Sequence, residues 1–321
     1  MKRSVAILGT RYPDFSVEET ILSPLDVDIV GADGASGEEI IATAGTAAVI
    51  LAGSRPRFTA AVLERLSCRA IVRYGVGVDS VDVPAATRLG IAVARVPDYG
   101  TEAVAVHTVA LALAALRKIP PADRHLKTGE WGFAELRPLH LPSVLTAGVV
   151  GFGRIGRAVG TMLEAVGFTI VAHDPLVQES DTPVVSLDEL LERSDLVTLH
   201  APSATDGAPL IDRSALARLR PGSVLVNTAR GSLIDLDALV EGLRVNRPAV
   251  AALDVFPEEP PDLDIFEAVS DQVVLTPHMA WYTEESQLDL RQKAAQEAAR
   301  ALQGDELLHP VETPAIQGGS T

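Results

Sequence analysis

The sequence predicts an α/β protein built from two doubly wound parallel sheets. Short β-branched apolar runs alternate with helix-length segments, and this rhythm starts a second time after an alanine-rich stretch near residues 102–118. Apolar strands separated by helices are typical of parallel sheets that are covered on both faces. The length of 321 residues and the hydrophobic fraction of 47% allow two cores of ordinary size.

The first hundred residues contain five strand-like runs. In chain order they read SVAILG, VDIVGA, AAVILAG, AIVRYG and IAVARVP. The apolar stretch AVAVHTVALALAALRKI follows at residues 103–119. It is shorter than the roughly 20 residues that a membrane span needs, so it is predicted to be a buried helix.

The second series contains six strand-like runs. They read AGVVGFG, FTIVAHD, SDLVTLH, GSVLVNTA, PAVAALDV and DQVVLTP. A last helix is predicted to start at Thr283, with Glu284 and Glu285 in its first turn, and to stop at Gly304. Since no strand follows it, this helix is expected to pack on a domain that is already formed.

Composition disfavours several classes of partner. A formal net charge of -16 repels nucleic acid and anionic membranes. Cys68 is the single cysteine, which excludes an intrachain disulfide and a thiolate metal cluster, and no metal site is predicted. Only about five apolar residues precede Gly9, too few for a signal peptide, so the protein is expected to be cytoplasmic.

The clearest motif is GFGRIG, which lies between a strand and an amphipathic helix. Gly151 permits a tight turn, Gly153 lets a pyrophosphate approach the backbone, and Gly156 lets helix and strand close up. The amides of Arg154 and Ile155 at the helix start then suit phosphate groups. The motif therefore predicts a Rossmann-like dinucleotide site.

The strand after this motif ends in Asp174, 18 residues beyond Gly156. A carboxylate at this point can accept hydrogen bonds from the adenosine ribose hydroxyls and would repel a 2′-phosphate. Pro175 and Leu176 follow it and bring no cation. NAD is therefore predicted in preference to NADP.

Four polar side chains follow successive strands of the second series. Arg230 follows VLVNTA, Asp254 and Glu259 lie in LDVFPEEP, and His278 follows VVLTP. The carboxyl ends of parallel strands meet at one edge of a sheet, where such sheets bind ligands. Each residue alone could be a surface or capping group, but together they predict a catalytic site.

The motifs GFGRIG, HDP, VNTARG, LDVFPEEP and PHMAW resemble, in order and spacing, the D-isomer-specific 2-hydroxyacid dehydrogenases. RYGVGVDSVD and VPDYGTEAVA in the first series are also similar to that family, so the resemblance covers nearly the whole chain. The family includes phosphoglycerate and D-lactate dehydrogenases, glyoxylate or hydroxypyruvate reductases, and NAD-binding corepressors.

This resemblance implies a discontinuous first domain. A flavodoxin-like substrate domain would comprise residues 1–98 and 286–321, and a Rossmann NAD-binding domain would comprise residues 99–285. The position of the last helix would then be explained. The long helix near residues 102–118 would be a crossover that is also used in homodimers.

The resemblance also implies a reaction, the reversible transfer of a hydride between NAD(H) and a D-2-hydroxy acid or 2-oxo acid. A histidine side chain ordinarily changes its charge near neutral pH, so His278 would be the general acid/base, and Glu259 would favour its imidazolium. Arg230 would hold the substrate carboxylate and polarise the C2 oxygen. The residues implied to border the cofactor, besides the glycine motif and Asp174, are Pro175, His200, Ala201, Pro202, Thr228, Ala229, Arg230, Asp254, His278 and Ala280.

The implied substrate is a small anionic acid in a closed cleft between the domains. The amides of Val76 and Gly77 in RYGVGVD can form a nest for its carboxylate. Arg73 is either structural or a second anion contact. Tyr74, Tyr99, Trp281 and Tyr282 are candidates to line the substrate end, with packing as the alternative role of each.

Several positions depart from members of the family. Gly53 stands where phosphoglycerate enzymes often carry an arginine, which weakens the case for a phosphorylated substrate, although Arg55 and Arg57 lie close in the sequence. Val76 replaces the lysine of phosphite dehydrogenases, and Glu259 argues against formate oxidation. The alternative function is an NAD(H)-sensing protein like the corepressors, which PHMAWYTEES also resembles and which can retain all three catalytic residues.

Overall fold

The computed structural model describes residues 2–10, 12–204 and 207–311, which fall into two compact units. Unit 1 comprises the described residues up to Gly100 together with those from Thr283 onward, and unit 2 is Thr101–Tyr282. Each unit contains one sheet whose neighbouring strands are parallel and joined through helices. The predicted α/β class with two doubly wound sheets is confirmed.

The described residues form eleven strands and eleven α-helices. The strands are β1 Arg3–Leu8, β2 Val27–Ala32, β3 Val49–Ala52, β4 Ala70–Arg73, β5 Ala92–Ala94, β6 Thr146–Val150, β7 Thr169–His173, β8 Leu196–Leu199, β9 Val224–Asn227, β10 Val250–Leu253 and β11 Val273–Leu275. The helices are α1 Ser16–Leu22, α2 Gly37–Ala44, α3 Ala60–Leu63, α4 Val83–Arg88, α5 Thr101–Leu116, α6 Ile119–Lys127, α7 Arg154–Val166, α8 Leu187–Arg193, α9 Arg213–Arg218, α10 Leu236–Arg244 and α11 Glu284–Gln303. Short 3-10 helices lie at Ser23–Leu25, Ala134–Leu136, Pro142–Val144, Gly231–Leu233 and Asp264–Gln272.

The sheet of unit 1 has the strand order β2-β1-β3-β4-β5. All of its neighbouring strands pair in parallel. This is the flavodoxin-like order that the sequence predicted for the first series. Ile50, Leu63 and Ile71 are fully buried in its core.

The last helix, α11, belongs to unit 1. Thr283 and Ser286 form a reciprocal capping pair at its start, and Gly304 ends it in a left-handed conformation with φ +83°. The predicted limits of this helix are therefore confirmed. It packs on α1, β3 and β4, and small side chains such as Ala294 and Ala298 permit the close approach.

A buried ion pair joins α11 to α1. Arg291 lies 2.6 Å from Glu18, whose side chain has no exposed surface. The hydroxyl of Tyr74 donates to the same carboxylate at 2.9 Å, and the Arg291 guanidinium stacks 4.6 Å from the centre of the Tyr12 ring. Burial and the Glu18 charge raise the pKa of Tyr74. This cluster ties the first and last helices of unit 1 together.

The sheet of unit 2 has the strand order β11-β10-β9-β8-β6-β7, again with parallel neighbours. A parallel bridge between Ala172 and Val184 adds a short segment beside β7. With that segment counted as the third strand, the order is the Rossmann order 3-2-1-4-5-6 with one more strand. Alternate residues of the sheet face two cores, Leu225 on one face and Val226 on the other.

The long helix predicted near residues 102–118 is present as α5, Thr101–Leu116. α5 ends at Leu116, and α6 starts at Ile119 after a bend of 58°. Lys118 between them has a left-handed backbone with φ +52°, and prolines occupy the first turn of α6. Within the described residues no single helix is long and apolar enough to cross a membrane, although the bent pair α5–α6 qualifies by length and composition.

Candidate active site

The glycine motif forms a tight turn between β6 and α7. Gly151 has φ +88°, and a Cβ placed on it would lie 2.6 Å from the backbone nitrogen of Ala201. A Cβ on Gly156 would lie 2.0 Å from the carbonyl oxygen of Gly151, so helix and turn touch there. Gly153, by contrast, faces open space, with no atom within 4 Å of a Cβ. This open side beside the start of α7 fits a pyrophosphate.

Asp174 directly follows β7 and holds the glycine turn. Its Oδ2 accepts from the backbone N–H of Phe152 at 2.8 Å, and its Oδ1 accepts from that of Leu176 at 2.9 Å. Each carboxylate oxygen keeps a further lone pair that can accept from a ribose hydroxyl. The glycine turn and Asp174 therefore fit an adenine dinucleotide, and Pro175 beside them is exposed.

His200 follows β8 directly behind the glycine turn. Its Nε2 is 2.9 Å from the hydroxyl of Thr198, and a Cβ on Gly151 would meet its carbonyl. Burial lowers the pKa of His200 to about 3, so the ring is neutral at physiological pH. A cofactor bound at the glycine turn, as predicted, would therefore meet a neutral imidazole at this position.

His278 and Glu259 form a direct hydrogen-bonded pair. The Nδ1 of His278 lies 2.7 Å from the Oε2 of Glu259, and both side chains are partly exposed, at 40% and 37%. Oε1 of Glu259 accepts from the backbone N–H of Phe256 at 3.1 Å. Burial raises the pKa of Glu259, but the hydrogen bond with His278 and the charges of His278 and Arg230 outweigh it, so the net shift is downward. The ionised carboxylate therefore favours a proton on Nδ1 of His278.

Arg230 is held close to this pair by its backbone. Asn227 at the end of β9 donates from Nδ2 to the Arg230 carbonyl at 2.8 Å and accepts from the Ala229 N–H at 3.1 Å. A Cβ on Gly231 would lie only 1.9 Å from the carbonyl carbon of Phe256. The segment that carries Arg230 thus runs against the segment that leads to Glu259.

Asp254 is used differently from the prediction. Its carboxylate has no exposed surface and accepts from the hydroxyl of Thr276 at 2.6 Å and from the N–H groups of Met279 and Ala280, each at 2.9 Å. Its carbonyl accepts from the N–H of His278 at 2.8 Å. The predicted cofactor contact is therefore not available to this side chain, because its oxygens already hold the loop that carries His278.

This loop holds His278 in an unusual conformation. The residue has φ +51°, a left-handed backbone that non-glycine residues adopt rarely. Its N–H donates to the carbonyls of both Asp254 and Thr276. Ala280 is buried behind it, and Trp281 packs edge-on against Tyr282 with ring centres 5.7 Å apart. Such a conformation persists only when its surroundings determine it.

The sequence did not predict that His107, Asn227 and Thr276 support the segments that carry Arg230 and His278. Asn227 and Thr276 are polar residues at the ends of apolar strands, which is a usable but weak signal. His107, whose Nε2 lies 3.1 Å from the Thr276 hydroxyl, gives no local signal, because it stands in an apolar helix. Thr228, predicted beside the cofactor, pairs with Thr108 at 2.8 Å.

Of the predicted site residues in unit 1, Arg73 and Tyr74 are buried, whereas Val76 and Gly77 lie in a more exposed turn. Arg73 is buried, and its guanidinium donates to the carbonyls of Ala52, Gly53 and Gly77, which favours the structural of its two predicted roles. Tyr74 is also buried, with its hydroxyl committed to Glu18, so a direct substrate contact is not supported. Val76 is 37% exposed and follows Gly75, whose φ is +137°. The exposed turn at Val76 and Gly77 remains suited to an anion.

The structure thus brings Arg230, Glu259 and His278 together at the carboxyl ends of β9, β10 and β11. Pro202 is exposed after β8 and Ala201 is half-buried, both on the same edge of the sheet. Within the described part of the chain, no group of three histidine, cysteine, aspartate or glutamate side chains could hold a metal ion.

Known proteins resemble this chain closely. A family model described as D-isomer specific 2-hydroxyacid dehydrogenase, NAD binding domain, matches residues 109–280. The chain is 36% identical to D-3-phosphoglycerate dehydrogenase of Archaeoglobus fulgidus over 290 residues, which covers 88% of this chain and 55% of the relative. It is 37% identical to hydroxypyruvate reductase of Thermotoga maritima over 244 residues, which covers 74% of this chain and 79% of the relative.

A solved structure matches over nearly the whole chain. D-lactate dehydrogenase of Aquifex aeolicus, crystallised with NAD and lactic acid, superposes with a TM-score of 0.85 at 27% identity, covering 94% of this chain and 96% of that one. The chain spans about half the length of the curated phosphoglycerate dehydrogenases that it matches. The match to an NAD-binding domain confirms NAD as the predicted cofactor.

Proposed function

Because the chain belongs to the D-isomer-specific 2-hydroxyacid dehydrogenase family, we propose that it interconverts a D-2-hydroxy acid and its 2-oxo acid with NAD(H). His278 is the general acid/base, Glu259 is its partner, and Arg230 binds and polarises the substrate. The observation that carries this proposal is the 2.7 Å hydrogen bond between Nδ1 of His278 and Glu259, beside the charge of Arg230.

Proton transfer is assigned to Nε2 of His278. Glu259 is ionised and can only accept, so Nδ1 of His278 keeps its proton and Nε2 is left to gain or lose one. In the reducing direction Nε2–H gives its proton to the C2 oxygen of the 2-oxo acid, and Glu259 stabilises the imidazolium beforehand. In the oxidising direction neutral Nε2 takes the proton of the C2 hydroxyl. When bound, the nicotinamide supplies or accepts the hydride.

Arg230 fixes the substrate. A guanidinium presents N–H donors in a planar fork, so it can bind a carboxylate and polarise a neighbouring carbonyl oxygen at once. Its Nη1 donates to the Ala229 carbonyl at 2.7 Å, which orients the fork. Since the positive charge also lies near Glu259, Arg230 helps to keep that carboxylate ionised.

The substrate class that we propose is a small, non-phosphorylated anionic 2-oxo acid. A Cβ on Gly53 would lie 2.1 Å from the carbonyl oxygen of Gly9, so this position has no room for a side chain. The arginine that phosphoglycerate enzymes often carry here has no counterpart at this position, and the exposed Arg55 and Arg57 are the nearest arginines in the sequence. A net charge of -16 also gives no general attraction for a phosphorylated substrate.

We also propose a homodimer. The segment after α6 exposes several large apolar side chains, led by Trp131 at 91% exposed surface. Single exposed apolar residues are ordinary, but a cluster of them marks an interaction surface. Light scattering on the purified protein measures its mass, and a monomer at micromolar concentration would contradict this assignment.

The test of function is NADH oxidation with a panel of 2-oxo acids. The panel contains glyoxylate, hydroxypyruvate, pyruvate, phenylpyruvate, 2-oxoglutarate and 3-phosphohydroxypyruvate, and NADPH is compared with NADH. His278→Ala is expected to abolish turnover while keeping NADH affinity, whereas His125→Ala, at a half-buried position of α6 outside the proposed catalytic site, is the matched control and stays active. NADH binding without turnover of any acid would favour the NAD(H)-sensing alternative.

A further inference from the structure

Two adjacent residues of α5 hydrogen-bond to the two segments that carry the proposed catalytic groups. His107 lies 3.1 Å from the hydroxyl of Thr276, two residues before His278. Thr108 lies 2.8 Å from the hydroxyl of Thr228, two residues before Arg230. One turn of a single helix therefore touches both segments.

The directions of the hydrogen bonds on the Arg230 side follow from the number of protons. Thr108 donates its hydroxyl proton to the carbonyl of Val104 at 2.7 Å, so its oxygen accepts the proton of Thr228. Thr108 has no exposed surface and Thr228 is 8% exposed, so water does not replace this bond. Loss of the acceptor leaves a buried hydroxyl without a partner, which is unfavourable.

The number of protons also determines the directions of the hydrogen bonds that lead to the His278 loop. Thr276 donates its single hydroxyl proton to the carboxylate of Asp254 at 2.6 Å, so its oxygen accepts from Nε2–H of His107. Asp254 in turn accepts from the N–H groups of Met279 and Ala280 on the far side of His278. A chain of hydrogen bonds thus runs from α5 to the loop that holds His278 in its left-handed conformation.

We propose that His107 and Thr108 are positioning residues, and that this pair on α5 sets the spacing between Arg230 and His278. This inference rests on the proposed function, in which those two groups act on one substrate. Neither residue touches the substrate. His107 acts through Thr276 and Asp254, and Thr108 acts through Thr228.

The test uses pairs of substitutions that differ in one hydrogen-bonding group. His107→Gln keeps an N–H donor near the Nε2 position, whereas His107→Met removes it at similar volume. Thr108→Ser keeps the hydroxyl, whereas Thr108→Val removes it. Because a misplacement of about 1 Å lowers a rate about 100-fold, we expect kcat to fall about 10- to 100-fold in His107→Met and Thr108→Val. Thr108→Val also raises KM, since Arg230 binds the substrate, and the Gln and Ser variants stay close to wild type.

A second readout does not depend on turnover. The proton on Nδ1 of His278, bonded to Glu259, is expected to give a downfield NMR resonance in the full chain, which is assigned by its loss in His278→Ala. It is expected to broaden or vanish in His107→Met and to persist in His107→Gln. The matched controls are His125→Met and Thr20→Val, because Thr20 makes the same bond to the carbonyl four residues earlier, but on an exposed helix.

The outcomes separate this inference from the proposed function. If wild type turns over and His278→Ala does not, but His107→Met and Thr108→Val keep the wild-type kcat and KM, the positioning role is overturned and the function stands. A loss of thermal stability alone in these variants overturns the positioning role in the same way. If wild type reduces no acid, the proposed function fails, and the NMR resonance decides: its persistence in His107→Met overturns the positioning role, and its loss supports it.

Discussion

Gly231→Ala is a sharp test of how Arg230 is brought to Glu259. A Cβ on Gly231 would lie 1.9 Å from the carbonyl carbon of Phe256 and 2.3 Å from the nitrogen of Pro257. Carbon atoms in contact are about 3.5 Å apart, so even a compressed contact separates the two segments by roughly 1 Å. A displacement of this size lowers a rate about 100-fold. Overpacking destabilises the fold by about 1–3 kcal/mol, which lowers Tm by roughly 2–12 °C.

The assay compares kcat/KM, from NADH absorbance with the best 2-oxo acid, and Tm for wild type and two variants. Gly222→Ala is the control, because Gly222 has φ +86° and no atom within 4 Å of a Cβ. Its left-handed strain costs about 1–2 kcal/mol, so Tm falls while kcat/KM is kept. The reasoning is refuted if Gly231→Ala has the kcat/KM of wild type, or if Gly222→Ala loses as much activity.

Four further substitutions test, in turn, the glycine turn, the ribose contact, the acid/base pair and the buried ion pair of unit 1. In Gly156→Ala the new Cβ would lie 2.0 Å from a backbone carbonyl oxygen, so NADH affinity measured by calorimetry falls about 10- to 100-fold, and unchanged affinity would contradict the assigned turn. Asp174→Ser narrows the preference for NADH over NADPH, which the ratio of the two kcat/KM values checks. The pKa of Glu259 is lowered in the folded protein, so its ionised carboxylate stabilises the fold at pH values above its ordinary pKa. This stabilisation is lost as the pH falls through the lowered pKa. The difference in Tm between wild type and Glu259→Gln is therefore expected to shrink below about pH 4.5. Arg291→Met leaves the buried Glu18 carboxylate unpaired and destabilises the protein by about 3–5 kcal/mol in denaturant unfolding, whereas removing both charges together costs less.

Local patterns were sufficient to predict the strands and the limits of α11. Apolar strand runs and the Thr283 and Gly304 end signals depend on neighbours in sequence, so they are readable without a fold. The second helix, α6, was not predicted, because the apolar run that ends at Ile119 gives no sign of the helix that starts after the left-handed Lys118. The sequence left open whether Tyr74 packs or lines the substrate end, because an aromatic beside a glycine loop does not reveal which way its ring points.

The candidate site was predictable only where topology decides it. Arg230, Glu259 and His278 were grouped because strand ends of a parallel sheet meet at one edge. The supports were not predictable in this way. His107 and Thr276 are 169 residues apart in the chain, and only the packing of α5 brings them within a hydrogen bond. The same holds for the carboxylate of Asp254, whose partners are fixed by a turn that the sequence alone does not specify.

The membership of α11 in unit 1 affects how the chain emerges from the ribosome. The five strands of unit 1 are synthesised first, yet β3 and β4 lack the helix that covers them until residues beyond Ala298 have left the exit tunnel. Unit 2 is continuous, so all of its elements are available earlier, and domains generally fold as units during synthesis. Unit 2 can therefore fold before unit 1 is complete, and the apolar surface of β3 and β4 stays uncovered until α11 has been synthesised.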